Sequence, residues 1–184
     1  CLSGFNEIKG GLVFLKSFKK LDLTVEVKFA GPIKNESKYS DKITKEITTL
    51  RMKKNINIQE YGLIENVKDF ISNCGLIVVP HTRPHFSRVI IESWALRKPV
   101  ITFSDPWTEQ LNRASNNALI LVDKIDSDLL SKKIEEVFSG KINITDKIKK
   151  GFNYWKKNHD PSKIFIEVDS FYDEINKTIK VQKS

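Results

Sequence analysis

The chain has 184 residues, 40% hydrophobic and 29% charged, with 8 Gly and 6 Pro; that suffices for one buried core and excludes collagen-like or low-complexity sequence. Two cysteines, Cys1 and Cys74, exclude a disulfide-stapled scaffold, and no apolar stretch approaches the roughly 20 residues of a membrane span. The formal net charge of +8 favours anionic partners (nucleotides, nucleic acid, acidic lipid headgroups) without choosing among them.

The first residues, Cys1-Leu2-Ser3-Gly4, read as the end of a strand that started earlier, and no signal-peptide layout precedes them. The chain therefore reads as a fragment of a longer protein. Gly11 to Leu21 is a helical pattern with Leu12, Leu15 and Phe18 on one face and Lys16, Lys19 and Lys20 opposite. Thr24–Ala30 alternates as a strand and stops at Gly31-Pro32. Ser37 to Lys54 predicts a solvated helix with a narrow stripe of Ile43, Ile47 and Leu50. Asn55–Tyr61 is a second strand, and Val67, Phe70 and Ile71 define a helix ending near Cys74-Gly75. Cys74, entering an apolar run, reads as a buried thiol in a reducing compartment.

Leu76–Pro80, Pro99–Phe103 and Ala118–Val122 are continuous apolar runs, as in strands covered on both faces. Between them, Ser87 to Leu96 is apolar around most of its circumference, predicting a deeply buried helix, while Asp105-Pro106-Trp107 reads as a turn and helix start. Asp126 to Phe138 has a plausible acidic cap and points Leu129, Leu130, Ile134 and Val137 inward. From Ile144 the pattern changes to helix Thr145–Asn158, a break at Asp160-Pro161, and helix Ser162–Lys180, whose Ile164, Phe165, Val168, Phe171, Tyr172 and Ile175 form an unusually rich stripe. Strand-helix alternation predicts an α/β, Rossmann-like doubly wound parallel sheet, with 1–184 one domain and 144–184 a C-terminal helical extension.

Chemistry concentrates in Leu76–Ser104, LIVVPHTRPHFSRVIIESWALRKPVITFS. Ligands in open α/β sheets sit beyond the carboxyl ends of strands, where helices begin. The loop His81–Phe86 occupies such a position, and the helix after it offers unpaired N–H groups at Ser87, Arg88 and Val89 to a phosphate. Glu92 lies one turn further on an otherwise apolar helix, where a carboxylate needs a polar partner.

The run PHFSRVIIESWALRKPVI resembles the nucleotide-sugar site of family 4 glycosyltransferases, usually worded E-P-F-G-R-V-x-x-E-A-x-A-x-G-K-P-V-I. Leu2–Lys20 resembles that family's opening G-R-x-x-x-x-K-G strand, loop and helix, and Gly62–Pro80 resembles the segment where the base lies. The resemblance implies one half of a GT-B fold: the C-terminal, donor-binding domain, with the acceptor domain upstream and a last helix crossing back onto it. It also implies retaining transfer without a metal from a UDP- or GDP-sugar to a glycan or lipid-linked acceptor, by a cytoplasmic enzyme that is peripheral at the membrane and whose donor half is inactive alone. By position, Glu92 would hold the ribose, the amides of Ser87, Arg88 and Val89 the diphosphate, and Lys9, in the Lys9-Gly10-Gly11 turn, the negative charge of the leaving group. Phe86 matches the family's phenylalanine.

The chain departs from this pattern at two places. Pro84 stands where the first glutamate of the pair is expected, and Gly4 where the arginine after the opening glycine is expected. Arg83 by charge and His85 by hydrogen bonding are the available substitutes, and the site is either a subfamily variant or a weakened binder.

Plainer readings exist for each residue. Lys9 is one of many lysines, Glu92 has Arg88 four residues earlier as an ion-pair partner, and Ser87 is a helix cap. His81 and His85 are four apart, but Pro84 interrupts any helix through them and no third ligand is near, so no metal site is assigned. Thr82 and Asp105 are loop residues at strand ends, and the Asn-x-Ser/Thr triplets at Asn35, Asn143 and Asn176 read as chance. No P-loop or dinucleotide glycine motif occurs. Competing readings are a GT-B-type nucleotide-sugar epimerase, a degenerate member that scaffolds a partner, and a basic binding module. The last would use nucleic acid or membrane, but the lysines are scattered and no stacking platform is visible, so no nucleic-acid partner is expected.

Overall fold

A computed structural model describes residues 7–31, 37–166 and 170. It contains five strands, β1 (Val25–Ala30), β2 (Ile56–Tyr61), β3 (Ile77–Val79), β4 (Val100–Phe103) and β5 (Ile120–Val122). The helices are α1 (Gly11–Lys16), α2 (Lys38–Arg51), α3 (Val67–Ser72), α4 (Arg88–Ala95), α5 (Pro106–Ala114), α6 (Ser127–Phe138) and α7 (Ile144–Asn158). Residues 161–166 are also helical. The strand reading at Cys1–Gly4 and the apolar positions Val168, Phe171, Tyr172 and Ile175 lie outside the described residues.

All pairings are parallel. β1 pairs with β2 from Val25↔Ile56 to Ala30↔Tyr61, and β3, β4 and β5 follow in that order. Because successive strand residues point to opposite faces, strands apolar throughout build two layers at once. Val27, Phe29, Ile56, Ile58, Val78, Ile101, Phe103, Ile120 and Val122 pack on α1, α2 and α6. Ala30, Ile77, Val79 and Val100 pack the other way, with Phe70, Ile71, Ile90 and Trp94 of α3 and α4. This is the doubly wound arrangement the alternation predicts.

Several elements differ from the sequence expectation. The first helix ends at Lys16, not Leu21; the chain then turns, and Lys53 Nζ donates to the carbonyls of Phe18, Lys19 and Leu21 at 3.1, 2.7 and 3.1 Å. This side-chain donor satisfies carbonyls of the turn that follows the helix. α5 is a full helix of 9 residues, started by Asp105, whose carboxylate accepts from the N–H groups of Trp107 and Thr108. Asp105 thus acts as a cap. α4 is half-buried, with only Ile90, Ser93 and Trp94 inside. Leu129 points outward, 39% exposed, whereas Leu130, Ile134 and Val137 are buried as expected. Cys74 is half-buried and donates from Sγ to Phe70 O at 3.2 Å. Asn143, read as a chance triplet, caps α7 by accepting from Asp146 N.

α7 packs back on α4. Trp94 is 1% exposed and meets Tyr154 edge-on at 5.6 Å, and Arg97 stacks over Phe152 at 3.6 Å. Gly151 makes this contact possible, because a Cβ there would fall 2.4 Å from Trp94 Cδ1. We therefore expect Gly151→Ala to destabilise the fold by about 1–3 kcal/mol through overpacking, read as a lowered urea midpoint; an unchanged midpoint would show that the α4–α7 contact yields easily.

Candidate functional site

The site is built at the carboxyl end of the strands, around one close approach. A short 3-10 turn, Glu7–Lys9, leads into Gly10, whose φ of +69° is a left-handed conformation suited to glycine. A Cβ on Gly10 would lie 1.7 Å from the carbonyl oxygen of Pro80, at the end of β3. Thr82 then locks the two segments together. Its N–H donates to Ile8 O at 2.9 Å and its hydroxyl to Glu7 O at 3.1 Å. The Lys9-Gly10-Gly11 turn and the His81–Ser87 loop, more than 70 residues apart in sequence, therefore form one wall.

His81 lies inside that wall, 8% exposed, its ring 5.1 Å from that of His85. Burial pushes its pKa down to about 4; the Lys9 ammonium and then His85 push the same way, against Asp105. The imidazole is therefore neutral at pH 7, and Lys9, His85 and Asp105 all lie within electrostatic reach of it. The sequence places His81 in the ligand-side loop and in a rejected zinc pair; nothing short of the Gly10–Pro80 approach reveals that it is enclosed beside Lys9.

Helix termini supply the remaining donors. Ser37, Asn66, Asp105, Asp126 and Asn143 cap α2, α3, α5, α6 and α7 with their side chains. α1 and α4 have no side-chain cap. These two open onto the wall just described. The capping role considered for Ser87 is thus not realised: it is buried at the N-cap of α4 and makes no side-chain cap bond. Among the described residues, the N–H groups of Ser87, Arg88 and Val89 have no partner, and they carry the positive end of the helix dipole. One α1 amide, Leu12 N, is taken by Tyr39 Oη at 3.1 Å.

Glu92, half-buried, borders a groove of about 360 Å³ with Val67, Lys68 and Ile71 of α3 and with Ala95 and Leu96. It forms no ion pair with Arg88 among the described residues, so the structural pairing considered for it is not made. Its groove lies toward the first turn of α3, beyond the carboxyl end of β2. Arg83, Pro84, His85, Phe86 and Arg88 are exposed on the loop and the start of α4, and Val89 is half-buried behind them. Phe86 and Trp107, 49% and 55% exposed, flank a cleft of about 160 Å³ with His85, Ser87, Gln110 and Tyr154. Trp107 and Tyr154 were not among the candidates, because α5 and the return of α7 bring them there. The described structure thus collects Lys9, Gly10, Arg83, His85, Phe86, Ser87, Arg88 and Val89 at one mouth, with Glu92 one helical turn inside its flank.

Residues 2–154 match the family described as glycosyl transferases group 1. The chain belongs to that family. Its fold is also that of solved glycosyltransferase structures. Anabaena Alr3699/HepE, solved in complex with UDP, matches with a TM-score of 0.76 and 17% identity over 94% of this chain and 47% of that one. A glycosyltransferase from Rickettsia africae ESF-5 matches with a TM-score of 0.74 and 22% identity over 96% and 47%. Sucrose-phosphate synthase from Thermosynechococcus elongatus matches with a TM-score of 0.72 and 17% identity over 95% and 44%. The chain spans less than half the length of these structures. No curated protein matches its sequence. No helix among the described residues is long and apolar enough to cross a membrane.

Burial of His81 has a pH consequence with a definite sign. The unfolded chain takes the proton near pH 6.5, the folded chain only near 4. The stability contributed by neutral His81 is therefore complete above about pH 6.5 and declines as pH falls toward 4. We expect His81→Asn to remove about 2 kcal/mol of the stability difference between pH 7 and pH 4.5, measured by urea unfolding at both pH values. Equal losses in variant and parent would contradict the burial of a neutral imidazole.

Proposed function

We propose that this chain is the donor-binding domain of a retaining glycosyltransferase and takes a nucleotide-diphosphate sugar, a UDP- or GDP-sugar, at the mouth shared by α1 and α4. One observation carries the reading: the two helices left without side-chain caps open onto the same wall, beside Lys9. Helix amides with nothing to donate to, next to an ammonium group, form a site for an anion with several oxygens. The UDP and UDP-glucose complexes of the Anabaena protein support this choice of ligand class.

In this reading the diphosphate lies on the amides of Ser87, Arg88 and Val89 with Lys9 alongside. The ribose hydroxyls reach Glu92, whose carboxylate is not engaged by Arg88, and the base lies toward the first turn of α3. The sugar faces Arg83, His85 and Phe86, which take the place of the glutamate missing at Pro84. During transfer the bond from the anomeric carbon to the diphosphate oxygen breaks, and an acceptor hydroxyl bonds that carbon on the same face. Its proton goes to the departing diphosphate. Lys9 and the helix amides stabilise the charge that develops there, so the chain's own groups supply the field and the reading calls for no divalent cation. Acceptor recognition belongs to an upstream domain closing over this mouth, and the 184 residues alone bind donor without transferring sugar. The acceptor is a glycan or a lipid-linked glycan, and the surplus of lysines fits a domain working at the inner face of a membrane.

Titration calorimetry with UDP and with GDP tests this directly. We expect saturable binding of at least one. Lys9→Ala should weaken it about tenfold to a hundredfold, the effect of one lost charge-assisted hydrogen bond. Glu92→Gln should weaken it about fivefold, without changing the unfolding midpoint. Absence of heat with either nucleotide at millimolar concentration would overturn the assignment. Salt-sensitive binding to random oligonucleotides without nucleotide binding would favour a basic module instead.

A further inference from the structure

His81 is enclosed where the Lys9 turn meets its own loop. It is 8% exposed, and among the described residues its ring makes no hydrogen bond. A buried polar side chain without a partner is costly unless something comes to meet it. Its neighbours do not supply what an imidazole lacks. The Lys9 ammonium lies within electrostatic reach, and the His85 ring stands 5.1 Å away between centroids. The amides of Ser87, Arg88 and Val89 add the positive end of the α4 dipole at the same mouth. Asp105 opposes them, but its carboxylate already accepts from the N–H groups of Trp107 and Thr108.

Burial, then Lys9, then His85 keep the free imidazole neutral down to about pH 4. A nucleoside diphosphate lying on Lys9 and the α4 amides reverses the local field. It brings more negative charge than one ammonium and a helix dipole of about half a charge can cancel. Arg83 and Arg88 are exposed, so solvent screens much of their contribution. The diphosphate also brings acceptor oxygens, which favour the charged form of a donor.

We propose that His81 is a second cation of the donor site, charged only while the diphosphate is bound. The inference rests on the donor-binding reading above and adds to it a residue and a proton. One proton passes from solvent to the imidazole as the diphosphate arrives, and it returns to solvent when the nucleotide leaves. In the complex the imidazolium N–H donates to a phosphate oxygen. It stands with Lys9 against the charge that the diphosphate gathers as its bond to the sugar breaks. In the empty site the charge is shed, and Lys9 is not left beside a second enclosed cation. An arginine in the same enclosure would stay charged throughout.

The test is a histidine titration by NMR of the isotope-labelled chain, alone and with saturating UDP or GDP, following His81, His85 and His159 separately. We expect the His81 midpoint near pH 4 in the free chain and about 1–3 units higher in the complex. For a rise of about two units, nucleotide affinity gains about tenfold between pH 7 and pH 5 beyond any gain shown by His81→Gln, which cannot take the proton. A nucleotide that binds while the His81 midpoint stays put, or while His85 alone moves, overturns this inference and leaves the donor-binding reading standing. Absence of binding by either nucleotide overturns both. If His81→Gln does not fold, the titration of the parent chain decides by itself.

Discussion

The contact between Gly10 and the Pro80 carbonyl governs the arrangement of the whole mouth. No side chain can be added at Gly10 without driving the two backbones apart, since even a Cβ would overlap the oxygen. The left-handed φ closes the same door from the backbone side. Once the approach is made, Thr82 can reach both Glu7 O and Ile8 O, and His81 is shut in beneath the turn. Lys9 then has little choice of neighbourhood. A lysine that would be merely solvated elsewhere is held where its charge reaches a buried imidazole.

Helix caps give the same region its chemical character. A helix start leaves several N–H groups without intrahelical partners, and leaving a buried donor unsatisfied costs about 1–3 kcal/mol. Where α2, α3, α5, α6 and α7 begin, a Ser, Asn or Asp side chain removes part of that cost. At α1 only Leu12 N is satisfied by a side chain, the Tyr39 hydroxyl, and at α4 no side chain caps the first turn, in a chain that plainly has the means to cap. Unpaired helix amides beside a lysine form a surface that suits an anion. The domain's packing is arranged around keeping them in place: α4 is held from behind by Trp94 against Gly151 and Tyr154, and by Arg97 on Phe152.

How much of this could be read from the sequence depended on whether the signal was local. β3, β4 and β5 are legible because their residues are apolar on both faces, β1 and β2 because apolar and polar residues alternate, and α2 because Ile43, Ile47 and Leu50 recur at helical spacing. α5 was seen only as a helix start, since its surface is polar and its order rests on the Asp105 and Thr108 capping pair. Leu129 reads as inward from the sequence because periodicity alone cannot say which edge of a stripe meets the sheet. At the site, Lys9, Gly10 and the start of α4 were legible as motifs, but the enclosure of His81, the approach of Trp107 and Tyr154, and the missing cap at Ser87 depend on chain segments far apart. Arg97 adds a quieter example. It stands where the family wording has glycine, and its φ of 55° explains the preference for that residue; stacking on Phe152 helps offset the strain.

The proposed function puts a nucleoside diphosphate where the Lys9 turn and the α4 N-terminus meet, with its nucleoside toward α3. Mapping amide chemical shifts of the isotope-labelled chain during a UDP or GDP titration tests it most directly. The largest changes are expected on Lys9–Gly11, on Ser87–Val89, and on the first turn of α3 near Val67 and Lys68, while β4 and α6 stay still. Saturable shifts confined to the Phe86–Trp107 cleft, with Lys9–Gly11 and Ser87–Val89 unmoved, would contradict it.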